Sequence, residues 1–96
     1  MKVIWKFPLK LTDMQKILMP KHCTILSLQM QNNIPCLWCE VESESEKEER
    51  EFLFFGTGAE ITESLLKYIG TIQQRSLVFH LYKRLDPIEG MLEAFL

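Results

Sequence analysis

The chain is poor in glycine, proline and cysteine, with four, four and three of them among 96 residues. Phosphate loops depend on glycine: a Walker loop needs Gly-x4-Gly-Lys-Ser/Thr, and a dinucleotide fold needs Gly-x-Gly-x-x-Gly. Two of the glycines fall close together in Phe54-Phe55-Gly56-Thr57-Gly58-Ala59-Glu60-Ile61, which satisfies neither pattern. At the exit of an apolar run, such glycines supply a positive φ or a bulge. What remains for function there is a set of backbone amides and the Thr57 hydroxyl, all hydrogen-bond donors to an anion.

Cys23, Cys36 and Cys39 are an odd number with no secretory signal ahead of them, so a reducing, intracellular setting is expected. Cys36-x2-Cys39 has half the spacing of a zinc site, but no second pair completes it. On a strand, residues three apart point to opposite faces, so two thiolates cannot share one metal. Buried, unreactive cysteines and no metal are expected. No apolar run approaches the ~20 residues that span a bilayer. A net charge of -2 gives no general attraction to nucleic acid. The chain is expected to be soluble and cytoplasmic, without a membrane partner.

A catalytic set is also missing. The carboxylates crowd into one run and the two histidines lie far apart, so no catalytic constellation stands out. No enzyme and no cofactor is expected.

What is present is alternation. Val3, Trp5, Phe7, Leu9 and Leu11 share one parity while Lys2, Lys6 and Lys10 occupy the other, the period of a half-buried strand. Pro8 and the lysines put that strand at a sheet edge. Thr12-Asp13 reads as a turn and Gln15 to Met19 as a short return strand ended by Pro20. Thr24 to Gln31 alternates with Leu26, Leu28 and Met30 inward. Asn32-Asn33 makes a tight turn into Pro35 to Val41, since asparagine tolerates positive φ.

Glu42 to Glu51 reads as a solvated, mobile hairpin loop, with an acidic contact surface as its alternative. Phe52 to Phe55 is apolar on both parities and is expected to be covered on both faces. Ala59 to Leu66 fits either a short helix or an irregular crossing. Lys67 to Gln73 and Ser76 to Lys83 are two more strands, with Leu77, Phe79 and Leu81 on one face and Val78, His80 and Tyr82 on the other. After Asp86-Pro87, apolar residues recur at helical spacing.

The expected fold is all-β, or β-rich α+β: a small antiparallel sandwich or barrel of six to seven short strands with a short C-terminal helix. Residues 1–85 form the domain and residues 86–96 an amphipathic extension. A chain of this length buries somewhat more than roughly 60% of its unfolded surface, too little for a deep private cleft. Homo-oligomerisation is therefore expected, with Met91, Leu92, Phe95 and Leu96 as the interface, because they would otherwise expose an apolar patch.

The candidate ligand-binding residues combine cations with aromatics, which together hold a phosphate and a base. They are the Gly56-Thr57-Gly58 loop as amide donor, Lys6 and Arg75 as phosphate partners, and Trp38 or His80 as the stacking group. The competing reading has the lysines solubilising an edge strand and Trp38 packing under a loop.

In order along the chain stand Lys2 to Leu9 (K-x-I-W-K-F-P-L), Ile34 to Trp38 (I-P-C-L-W), Phe55 to Gly58 (F-G-T-G), Tyr68 to Thr71 (Y-I-G-T) and Leu77 to His80 (L-V-F-H). This order resembles a family of small phage-encoded domains of uncharacterised function. Similar sequences carry a histidine and a proline-containing loop after Gly-Thr-Gly, where this chain has Ala59 and no proline. The resemblance implies an anti-defence setting in an infected bacterial host. There a small oligomer would sequester an anionic ligand such as a cyclic nucleotide immune signal. The alternatives are an anti-CRISPR-like inhibitor of a bacterial defence protein, and a phage structural or assembly component.

Overall fold

The computed structural model describes residues 1–94; of the expected interface, Phe95 and Leu96 lie outside them. Seven strands form two antiparallel sheets, followed by one short helix. The strands are β1 (Lys2–Pro8), β2 (Met14–Pro20), β3 (Cys23–Gln31), β4 (Ile34–Glu42), β5 (Lys47–Gly56), β6 (Leu66–Gln74) and β7 (Leu77–Arg84), and the helix is α1 (Pro87–Ala94). The first sheet has the order β1-β4-β3 and the second β2-β5-β7-β6. The molecule is thus the expected β-sandwich with a C-terminal helix.

Alternation builds the core. Trp5 and Phe7 of β1, Leu37, Cys39 and Val41 of β4, and Ile25 and Leu28 of β3 face Met19, Phe52, Phe54, Ile72 and Leu81 of the other sheet. Phe52, Met19, Leu37, Cys39 and Leu81 are fully buried. Each such side chain contributes about 1.5–3 kcal/mol by leaving water. β1 is an edge strand, paired only to β4, with Pro8 opposite Cys36 at its end. The β3–β4 turn has Asn32 at φ 50° and Asn33 at φ 66°, as the dipeptide requires.

Three expectations are corrected. The return strand after Thr12-Asp13 does not pair with β1: the chain crosses between the sheets at buried Leu9, and β2 pairs with β5. Leu26 is not inward, because a bulge between Ile25 and Ser27 leaves it unpaired and exposed and returns Leu28 to the core. The acidic run is not a loop throughout. Lys47 to Glu51 form the first half of β5, and the turn before it is tied by Lys21 N donating to Glu46 O at 2.6 Å and Ser45 Oγ to Glu42 O at 2.8 Å. Of the two forms the sequence allows after Gly58, the chain takes the irregular crossing between Thr57 and Leu65. Ala59, Glu60, Thr62 and Glu63 line an open cleft together with Leu53 and Phe55 on the outer side of β5.

Cys36 and Cys39 face opposite sides of β4, as three-residue spacing demands. Among the described residues no three His, Cys, Asp or Glu side chains gather as a metal group, and no helix is long and apolar enough to cross a membrane.

Candidate functional site

The outer face of the four-stranded sheet carries an unusual row. His80 on the central strand β7 lies opposite Phe55 of β5 and Thr71 of β6. Its Nε2 is 2.9 Å from Thr57 Oγ1 and its Nδ1 is 2.9 Å from Thr71 Oγ1. Thr71 Oγ1 in turn lies 2.5 Å from the Tyr68 hydroxyl. Both ring nitrogens are therefore engaged by hydroxyls, which donate or accept as the tautomer requires. The imidazole is held in one orientation, and neither nitrogen is free to take a substrate proton without breaking a bond.

Beside that row lies an aromatic step. Phe55 and Tyr82 are 5.5 Å apart at 85°, and Tyr82 and Tyr68 are 5.5 Å apart at 65°. These edge-to-face pairs fix ring planes as well as burying area. Tyr68 is 52% exposed, so its ring is open to a ligand. A polar line next to aromatic rings can grip a planar group by its edge and its face together.

The Gly56-Thr57-Gly58 loop borders this row but offers fewer amides than the sequence promised. Thr57 N donates to Val78 O at 3.3 Å and Ala59 N to Gly56 O at 3.0 Å. Gly58 has φ +92°, the left-handed conformation that a side chain disfavours. The glycine there makes the turn, and the turn presents the Thr57 hydroxyl to His80.

The remaining sequence candidates lie elsewhere. Lys6 and Trp38 are register partners on the outer face of the three-stranded sheet, with Lys6 Nζ donating to Gln31 Oε1 at 2.7 Å. Trp38 is half-buried, paired with Ser27 of β3 on its other side. Arg75 occupies the β6–β7 turn at φ +57°. Met91 and Leu92 are exposed on α1, each at 61%. The structure thus unites Gly56, Thr57, Gly58 and His80, and separately Lys6 and Trp38. The two groups face away from each other across the sandwich.

Tyr68 and Thr71 are the site residues that sequence reasoning missed. Three apart on a regular strand, they would take opposite faces. A bulge between Tyr68 and Gly70 puts both outward. Gly70 is the available signal: a glycine inside a strand pattern marks a bulge or a close approach, and here Leu28 sits against it.

A family model described as a domain of unknown function, DUF7352, matches residues 1–90. No curated protein and no solved structure matches the chain.

Proposed function

For this chain, which belongs to the DUF7352 family of domains of unknown function, we propose a binding role rather than a catalytic one: a small planar ligand with an anionic group docks on the outer face of the four-stranded sheet. The observation that carries this reading is His80, fixed between Thr57 and Thr71 beside the exposed Tyr68 ring. Stacking on Tyr68 and an edge contact to the Thr57–His80–Thr71 line suit a nucleobase, with the Gly58 turn beside its phosphate. The absence of a carboxylate in that hydrogen-bonded line favours capture over turnover.

The finer reading is sequestration of a cyclic nucleotide immune signal by a phage-encoded oligomer in the cytoplasm of an infected bacterium. It rests on the resemblance of the ordered motifs and on the small core. Self-association is supported by exposed Ile88, Met91 and Leu92, and by the two outward-facing groups. A second copy could bring Lys6 and Trp38 to a ligand seated at His80.

Calorimetry against cyclic dinucleotides, cyclic trinucleotides and cyclic ADP-ribose isomers tests this. The folded protein should bind at least one, and His80→Ala and Tyr68→Ala should each weaken binding about tenfold, in keeping with roughly 1–3 kcal/mol for a stacked base. No binding across the panel with the fold intact sinks the proposal.

Inhibition of a bacterial defence protein is the second reading, favoured by one observation. Glu44, Glu46, Glu48 and Glu49 are all exposed along the β4–β5 turn and the start of β5. Deleting the run would remove half of β5, so the discriminating variant replaces these four by glutamine. The inhibitor would lose its activity and the ligand binder would keep it.

A further inference from the structure

Charges do not belong on the inner face of a sandwich, yet three cations occupy it at one end. Arg50 of β5 shares the parity of Phe52 and Phe54, and Lys83 of β7 the parity of Leu81 and Phe79. Their side chains are each only 15% exposed. Lys67 of β6 is the register partner of Lys83, so two like charges stand directly opposite, an arrangement that destabilises a sheet by itself. Arg50 donates through Nη2 to Lys21 O at 2.7 Å and to Glu48 at 3.3 Å, while its buried Nε has no partner. These side chains line a crevice of about 370 Å³ whose other wall is β3, from Cys23 to Leu28.

Helix α1 answers these lysines with its acidic side. Glu93 Oε1 lies 2.8 Å from Lys67 Nζ and Glu89 Oε2 lies 3.2 Å from Lys83 Nζ. The apolar residues Ile88, Met91 and Leu92 face solvent instead. The helix is thus attached by two partly exposed ion pairs, by its cap and by the contact of Gly90 with Leu65. Such ion pairs are each worth about 0–1 kcal/mol. A polyvalent anion can compete with them.

We propose that the crevice between β3 and β6 is an anion site for a phosphate-bearing small molecule, and that Glu89 and Glu93 neutralise Lys83 and Lys67 until such a ligand displaces them. The cations supply charge-assisted hydrogen bonds, which suit phosphoryl oxygens. The volume admits a nucleotide or a short oligophosphate. This site lies on the opposite side of β6 from His80, with Tyr68 bordering both, and its charge contacts do not involve His80.

The test is a calorimetric titration of the full chain with inorganic pyrophosphate, with a nucleoside triphosphate and with the free nucleoside. Pyrophosphate and the triphosphate should bind, and the nucleoside should not add to them in this crevice. The Glu89→Gln/Glu93→Gln variant removes both competing charges. It also keeps the Asp86–Glu89 capping box, in which glutamine substitutes well. It should bind pyrophosphate roughly three- to tenfold more tightly than the wild type. Lys83→Met should weaken binding about tenfold, with near-ultraviolet circular dichroism reporting its fold. Where Lys83→Met does not fold, the glutamine variant decides alone. Pyrophosphate binding that the glutamine variant fails to tighten, no saturable binding at all, or binding undiminished in folded Lys83→Met each overturns the proposal.

Discussion

The thiol of Cys39 ties the stability of the core to pH. Cys39 is fully buried between Trp5 and Ile25 of the neighbouring strands, and burial, reinforced by Cys23 beside it, pushes its pKa from 9.0 to about 12. The unfolded chain releases this proton first, so the folded state binds more protons above pH ~9. The thiol's contribution is fully present below that value and is lost as pH rises toward ~12. The slope in that window is about 1.4 kcal/mol per pH unit. Between about pH 8 and about pH 10.5 the loss from this one group comes to ~2 kcal/mol, a large share of what a small domain has. Urea unfolding of the wild type and of Cys39→Ala, under reducing conditions at both pH values, isolates it. Tyrosines and lysines also titrate in this range, but they do so in both proteins and cancel in the difference. Cys39→Ala starts less stable because of its cavity and should then lose about 2 kcal/mol less than the wild type on going to high pH. Equal losses in the two proteins refute the argument.

Native-state alkylation followed by mass measurement should modify Cys23 alone, because Cys36 and Cys39 are 2% and 0% exposed; rapid modification of all three would mean that β4 opens readily. Phe52→Ala removes a fully buried ring at the centre of the core and should cost about 3–5 kcal/mol in chemical denaturation. Gly58→Ala forces a side chain into φ +92° and should cost about 1–2 kcal/mol while also weakening ligand capture at His80, since the turn holds Thr57. Replacing Met91 and Leu92 by serine should leave the melting temperature nearly unchanged and lower the mass seen by light scattering; an unchanged mass rejects the helix as an interface.

How much of this was legible follows from which signals are local. The edge position of β1 could be read from Pro8, and the β3–β4 hairpin from Asn32-Asn33, because proline and asparagine act on their own φ and their own donors. The faces of β3 and β6 could not be read through to their ends. A bulge shifts the register by one, which sends every later residue to the other side, and nothing in Ile25-Leu26-Ser27 announces it. The first half of β5 was hidden for another reason. Glutamate is a poor strand former, and these residues extend only because β2 pairs with them from some 30 positions away, with Lys16 opposite Glu51. The same blindness covered the inner-face cations. Arg50 and Lys83 read as surface residues until the pairing shows them on the parity of Phe52 and Leu81.

Both functional readings converge on β6, and its bulge explains why. Successive residues of a strand point to opposite faces, so Lys67 turns to the crevice while the Tyr68 hydroxyl joins the outer row, its residue bordering both. Beyond the bulge, Thr71 stays outward beside His80 and Ile72 turns inward to the core. A regular strand would have sent Thr71 inward and Ile72 outward, placing a hydroxyl in the core and an aliphatic side chain beside the imidazole. Either exchange is unfavourable, since an unpaired buried hydroxyl costs about 1–3 kcal/mol. The bulge therefore satisfies the core and the outer row together. It also leaves the edge strand with Lys67 on its inner side and Tyr68 on its outer side, at the end away from the core residue Ile72.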